Sequence, residues 1–437
     1  MNERSEGLCL FGFTIVVLAA GLALPWTADA APLVPPPPTP PLAAQAGPHF
    51  DPVAATEAYL AKIPPEQRAR SDAYFEGGCW LQLWSFLLGA AISIVLVASR
   101  LSAKMRDLAA RVTSISAFQT ALYWVQYLIV SAVISFPLTV YQGLFRERKY
   151  GLATQSFGGW FGDYAKGLAI AAVFGGLLMM AIYGVIRRLP RTWWAWGAVI
   201  MVVFLAVIIV ISPVFIEPLF NKYTRLDDPA VREPILRLAR ANGIPAHDVF
   251  VVDASRQTTR VSANVSGFAG TERIALNDNL LKRCSLPEIE TTMGHEMGHY
   301  VMHHVYKSVV EFGVLIVVGF LFLRWGFDRL TRRWGGAWRI SGIGDVAGLP
   351  VLALLFSTYF FVLTPVTNTI VRTQEAEADL FGLNAARQPD GEAEVDLKLG
   401  EYRKMKPTPL EEFIFFDHPS GYNRILMAMR WKAENLK

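Results

Sequence analysis

Residues 193–215 read WWAWGAVIMVVFLAVIIVISPVF, 23 positions without a charged side chain. Coiled as a helix at about 1.5 Å per residue, such a stretch outspans a hydrocarbon core of about 30 Å. Six further apolar runs of comparable length lie at 8–24, 80–98, 118–141, 167–186, 309–327 and 346–363. Together the seven make up about a third of the 437 residues. The chain is 53% hydrophobic and only 18% charged, against about 25% charged in soluble domains. Those figures exclude an ordinary cytosolic enzyme and a disordered chain. They predict a mainly α, polytopic membrane protein of about seven transmembrane helices, with the lipid bilayer as its first partner.

The net charge of +4 is too small to point to nucleic acid, so the basic residues matter by position. Loops 99–117, 187–192 and 328–344 carry eleven Lys and Arg in 42 positions. Segments 25–79 and 142–166, on the opposite side if the spans alternate, carry seven in 80. The positive-inside rule then places the two large polar segments, 216–308 and 369–437, outside the cytoplasm. Three cysteines, Cys9, Cys79 and Cys284, give neither a disulfide framework nor metal-ligand spacing.

The organisation expected is as follows. Residues 1–30 form a signal peptide, with Ala28-Asp29-Ala30 as its cleavage site, or an uncleaved first transmembrane helix. Residues 31–79 hold a proline-rich linker, PLVPPPPTPP at 32–41, and a polar segment. Four spans fill 80–215, a first protease segment 216–308, two spans 309–363, and a second protease segment 364–437. The first polar segment reads as α+β: a helix from Pro229 to Ala241, a strand at 249–252, and a hairpin from 258–268 to 272–276. A capped helix then starts at Ser285, with Glu288 three residues on.

That helix contains His295-Glu296-Met297-Gly298-His299. Residues four apart share a helix face, so both imidazoles can reach one metal ion, with Glu296 beside a water held there. A catalytic zinc needs a third protein ligand. The polar stretch Arg372 to Asp379 offers Glu375 and Glu377, and spacing alone does not choose between them. Asp379 shares a face with Glu375 and can hold a ligand histidine by its second nitrogen. His303 and His304 follow the motif; His303 reads as interfacial and His304 as structural, neither as a ligand.

Further blocks fall in a telling order: Pro218-Leu219-Phe220-Asn221-Lys222, Val251-Val252-Asp253, Ser262-Ala263-Asn264, Asn277-Asp278-Asn279-Leu280-Leu281, the His295–His299 motif with His304, Glu375 to Asp379, and His418-Pro419 with Arg424. In these the chain resembles the type I CAAX prenyl endopeptidases, integral-membrane zinc proteases, and more distantly the HtpX-like proteases. The resemblance runs from about residue 57 to the end. It implies a ring of seven helices around a chamber capped by a zincin-like protease domain. It implies one zinc per chain held by His295, His299 and Glu375, with Glu296 as general base and Asp379 behind a ligand. It implies that Asn264 holds a peptide substrate bound as an extended strand, and that His418 stabilises the tetrahedral intermediate.

One departure is Asn264-Val265, where the family has Asn-Ala. The signal-like amino end and the loop charges fit a bacterial inner membrane with an extracytoplasmic site. The reading is thus a zinc metalloendopeptidase acting on membrane-associated or misfolded proteins. CAAX processing and a catalytically idle scaffold or chaperone with structural zinc are the alternatives. No internal repeat of the kind a transporter shows is present.

Overall fold

The structure, a computed structural model, describes residues 50–266 and 273–436. The expected signal peptide or first span, most of the proline-rich linker and the turn at 267–270 lie outside the described residues. The other six apolar runs are all helical. Five helices are long and apolar enough to cross a membrane: Pro65–Ala98, Ser116–Lys149, Phe157–Arg188, Trp193–Leu219 and His304–Trp338. A bent pair, Val346–Val362 and Thr364–Ala386, supplies the sixth.

The five helices run to 27–35 residues, or roughly 40–50 Å, longer than the hydrocarbon they cross. The excess carries the ends into the polar segments. At one end the three basic loops meet. Arg100 Nε donates to the Ala337 carbonyl (2.9 Å), Arg106 Nη1 to that of Arg339 (2.9 Å), and Arg187 Nη1 to that of Ser116 (3.1 Å). At the other end Arg260 Nη2 reaches Glu147 Oε2 (2.9 Å), and Arg273 Nη2 reaches the Pro213 carbonyl (2.9 Å). The grouping of loops read from charge is therefore the grouping in space.

On that second end sits a four-stranded sheet: β1 (Tyr223–Arg225), β2 (Val249–Val252), β3 (Ala263–Ser266) and β4 (Arg273–Asn277). The order is β1-β2-β4-β3, with β2 and β4 parallel and the outer pairs antiparallel. Strand β3 therefore has a partner on one side only among the described residues. The predicted hairpin arm is shorter than expected, because residues 258–262 are taken up elsewhere. Thr258 Oγ1 donates to the Leu152 carbonyl (2.9 Å), while Asn279 Nδ2 reaches back to the Thr258 and Arg260 carbonyls (2.7 and 3.0 Å). β1, three residues long, had no alternation to announce it.

Two helices bring the chemistry together. The motif helix, Leu286–Val301, begins with the anticipated capping box: Ser285 N–H donates to Glu288 Oε2 at 2.6 Å. The ligand helix, Thr364–Ala386, leaves the membrane helix Leu349–Val362 at a 56° bend. Pro365 cannot donate to the Phe361 carbonyl; the Thr364 hydroxyl donates to it instead (2.9 Å). The bend turns the chain across the motif helix as soon as it leaves the apolar region.

Candidate metal centre

The motif helix uses three of its faces for three tasks, as the 3.6-residue period dictates. Ile289, Met293 and Met297, spaced by four, are at most 2% exposed and pack on the sheet with Ile274 and Leu276. Gly294 and Gly298 face the ligand helix. A Cβ on Gly294 would stand 3.0 Å from Gly382 Cα, and one on Gly382 would stand 2.8 Å from the His295 backbone nitrogen. The absence of side chains at this crossing lets the two backbones approach. His295 and His299 share the third face, turned toward a cavity that Glu296 also lines.

Glu375 is the acid the ligand helix delivers. His295 Nε2 lies 3.1 Å from His299 Nε2 and 3.2 Å from Glu375 Oε2, and His299 Nε2 lies 3.5 Å from Glu375 Oε1. For comparison, the edge of a tetrahedron around zinc with ligand bonds of about 2.1 Å is about 3.4 Å. The second nitrogens are engaged elsewhere, His295 Nδ1 with Asp379 Oδ1 (2.7 Å) and His299 Nδ1 with His304 Nδ1 (2.9 Å). Neutral rings held so aim two lone pairs and a carboxylate at one another, an arrangement that requires a cation between them. Glu375 Oε2 is buried without an aligned hydrogen bond, as befits an atom aimed at a shared centre. Burial disfavours charge on His295, yet hydrogen bonds to Asp379 and Glu375 outweigh it and hold the ring's pKa up to about 10. The donor set fits a zinc ion.

Asp379 is itself clamped. Arg424 Nε and Nη2 reach its two oxygens at 2.9 and 2.6 Å, while Nη1 lies 3.1 Å from Asp396 Oδ1 and Nη2 3.3 Å from Glu392 Oε1. All four side chains are buried. Burial pushes Glu392 up and Asp396 well above the usual carboxylate range, and Arg424 opposes both shifts. The sequence offered Arg424 only as part of a matching block. Glu392 and Asp396, four apart on the helix Pro389–Leu399, were not singled out.

His418 points into the same centre, with Nε2 3.2 Å from Glu375 Oε2 and Nδ1 2.8 Å from Asp417 Oδ1. Burial opposes its charge, and Glu375 and Asp417 override burial to raise its pKa. Val261, Ser262 and Ala263, leading into β3, form one wall of the cavity; Val395, Leu399 and Tyr402 form another. Asn264 follows on β3, paired with Ala275, and its Oδ1 is buried without a partner. Glu377 faces away from the cage and receives His304 Nε2 (3.0 Å) and Lys307 Nζ (2.6 Å). His303 is exposed, at a left-handed φ of 57° between two helices. Glu311 accepts from Gln374 Nε2 at 2.7 Å, next to the ligand helix.

Membrane-crossing helices that end in a His-His-Glu cage, beside a strand edge unpaired among the described residues, define an integral-membrane metallopeptidase. The model for Peptidase family M48 matches residues 225–432, and that for the CAAX prenyl protease N-terminal region, five membrane helices, matches 53–222. The chain is 29% identical to the metalloprotease YhfN of Bacillus subtilis (strain 168) over 375 residues, 85% of this chain and 87% of that one. With CAAX prenyl protease 1 of Saccharomyces cerevisiae it shares 27% identity over 325 residues, 70% and 71% of the two chains. The crystal structure of S. mikatae Ste24p superposes with a TM-score of 0.71 over 86% of this chain and 95% of that one, at 23% identity, a likeness of fold. The resemblance read from the motif blocks holds, and the protein is a membrane metalloprotease.

Proposed function

We propose that this protease is a zinc metalloendopeptidase, with one zinc per chain held by His295, His299 and Glu375, acting on membrane-associated or misfolded proteins. The observation that carries the reading is the cage itself, whose three ligand atoms lie within 4.8 Å of one another, on a cavity walled by the approach to β3. Zinc, when bound, lowers the pKa of a water toward about 7 and polarises the scissile carbonyl. Glu296 takes the proton of the attacking water and passes it to the leaving amine. His418 donates toward the oxyanion, in a position where one donor is worth a few kcal/mol elsewhere. The free edge of β3 takes the substrate as an added strand, and Asn264 anchors its backbone. Asp379 keeps His295 in the tautomer that leaves Nε2 free.

The membrane is the bacterial plasma membrane in this reading, with the cage on the extracytoplasmic side, opposite the joined basic loops. The similarity to CAAX prenyl protease 1 favours one second reading, removal of residues beyond a lipidated cysteine.

One assay separates the two. Detergent-purified full-length protein is given an unfolded polypeptide or a farnesylated peptide ending in a CAAX sequence, and products are mass-analysed. The proposal predicts cuts at several internal bonds of the unfolded chain. Release of the last three residues of the farnesylated peptide, with the unfolded chain left intact, would replace it with the second reading.

A further inference from the structure

The two ligand histidines are held in different ways. His295 rests on a buried carboxylate clamped by Arg424. His299 rests on another imidazole, and the hydrogen-bond chain from it runs outward. His299 Nδ1 meets His304 Nδ1 (2.9 Å), His304 Nε2 meets Glu377 Oε2 (3.0 Å), and Lys307 Nζ meets the same oxygen (2.6 Å). His304 is buried, its side chain 3% exposed, whereas those of Glu377 and Lys307 are 38% and 43% exposed.

The proton positions follow from the order of contacts. His299 turns Nε2 to the cage, 3.1 Å from His295 Nε2, so its proton is on Nδ1 and is donated to His304. An imidazole that accepts at Nδ1 carries its own proton at Nε2, and that proton is donated to Glu377. One proton assignment satisfies every member, and it leaves the His299 Nε2 lone pair free for a metal.

We propose that His304 is a positioning residue. It fixes the ring and tautomer of His299, and through Glu377 it makes the metal affinity of the cage depend on a surface carboxylate. The inference rests on the reading of the cage as a zinc site. His304 is the first residue of the helix His304–Trp338 and Glu377 lies on the ligand helix, so the relay ties together two elements that separately border the cage.

The test is zinc affinity of the full-length protein in detergent, by competition with a chromophoric chelator, comparing wild type, His304→Leu, His304→Asn and Glu377→Ala. Loss of a group that orients a metal ligand elsewhere costs about 10- to 100-fold in affinity. His304→Leu keeps the bulk and removes the acceptor, so it is expected to fall in that range. His304→Asn loses bulk but keeps an acceptor near the Nδ1 position, and is expected to recover most of the loss. A residue needed only for packing would give the reverse order, Leu above Asn, and that order overturns the proposal. So does unchanged affinity in the Leu variant. Glu377→Ala, at a half-exposed site that folding tolerates, is expected at the low end of the same range. Wild-type affinity there would cut the surface link out. Wild-type protein that binds no zinc would instead sink the metal site itself.

Discussion

Glu296→Ala is expected to lower peptide hydrolysis by about 10²- to 10⁴-fold, the contribution typical of a positioned general base. Zinc content should stay at the wild-type level. Glu296 projects from the motif helix between the ligand face and solvent, is half-buried, and lines the cavity without belonging to the ligand triangle. Removing its carboxylate therefore leaves His295, His299 and Glu375 with their buried partners. Glu296→Gln keeps the shape and a hydrogen-bond acceptor but cannot take a proton, so it should be nearly as inactive. A scaffold that merely retains structural zinc would keep its cellular role in both variants, whereas a protease would lose it. Parallel measurement of bound metal and turnover decides the matter. Full activity in the Ala variant removes Glu296 from the mechanism.

Arg424→Met should be the most damaging substitution for stability. The guanidinium touches Asp379, Glu392 and Asp396 at 2.6–3.3 Å, in a site where its side chain is 8% exposed. Its loss leaves buried carboxylates without a counter-charge, and breaking such a cluster costs about 3–5 kcal/mol. Asp379 also loses the two guanidinium donors that clamp it, so the anchor of His295 loosens and zinc affinity falls with stability. Arg424→Lys should rescue little, because an ammonium cannot span the two oxygens of Asp379 as a planar fork does. Adding Asp396→Asn and Glu392→Gln to Arg424→Met should restore part of the melting temperature, since the unpaired charge is then smaller. A melting temperature unchanged in Arg424→Met would show that the cluster is protonated and carries little charge.

Much of this arrangement was legible in the chain. Apolar runs report the spans directly, because length and lack of charge are what a bilayer demands. The capping box at Ser285 and the four-residue spacing of His295 and His299 are local signals on one helix, and both were readable. The division of the motif helix into faces was implicit in the same letters: Met293 and Met297 for the sheet, Gly294 and Gly298 for the crossing. Glu375, by contrast, stood level with Glu377 until the resemblance separated them, since nothing local says which carboxylate faces a helix 80 residues earlier. The Arg424 cluster and the His304–Glu377 relay were out of reach for the same reason. Each joins side chains on different helices, and their pairing is fixed by the bend at Thr364 and the close crossing at Gly382, neither of which has a periodic signature.

Zinc titration of metal-stripped wild-type protein, with cleavage of an unfolded polypeptide as the readout, tests the central claim most directly. The account predicts no cleavage without metal and recovery that rises to a plateau at one zinc per chain. Cleavage that persists in the stripped protein, or none at any zinc level, would contradict it.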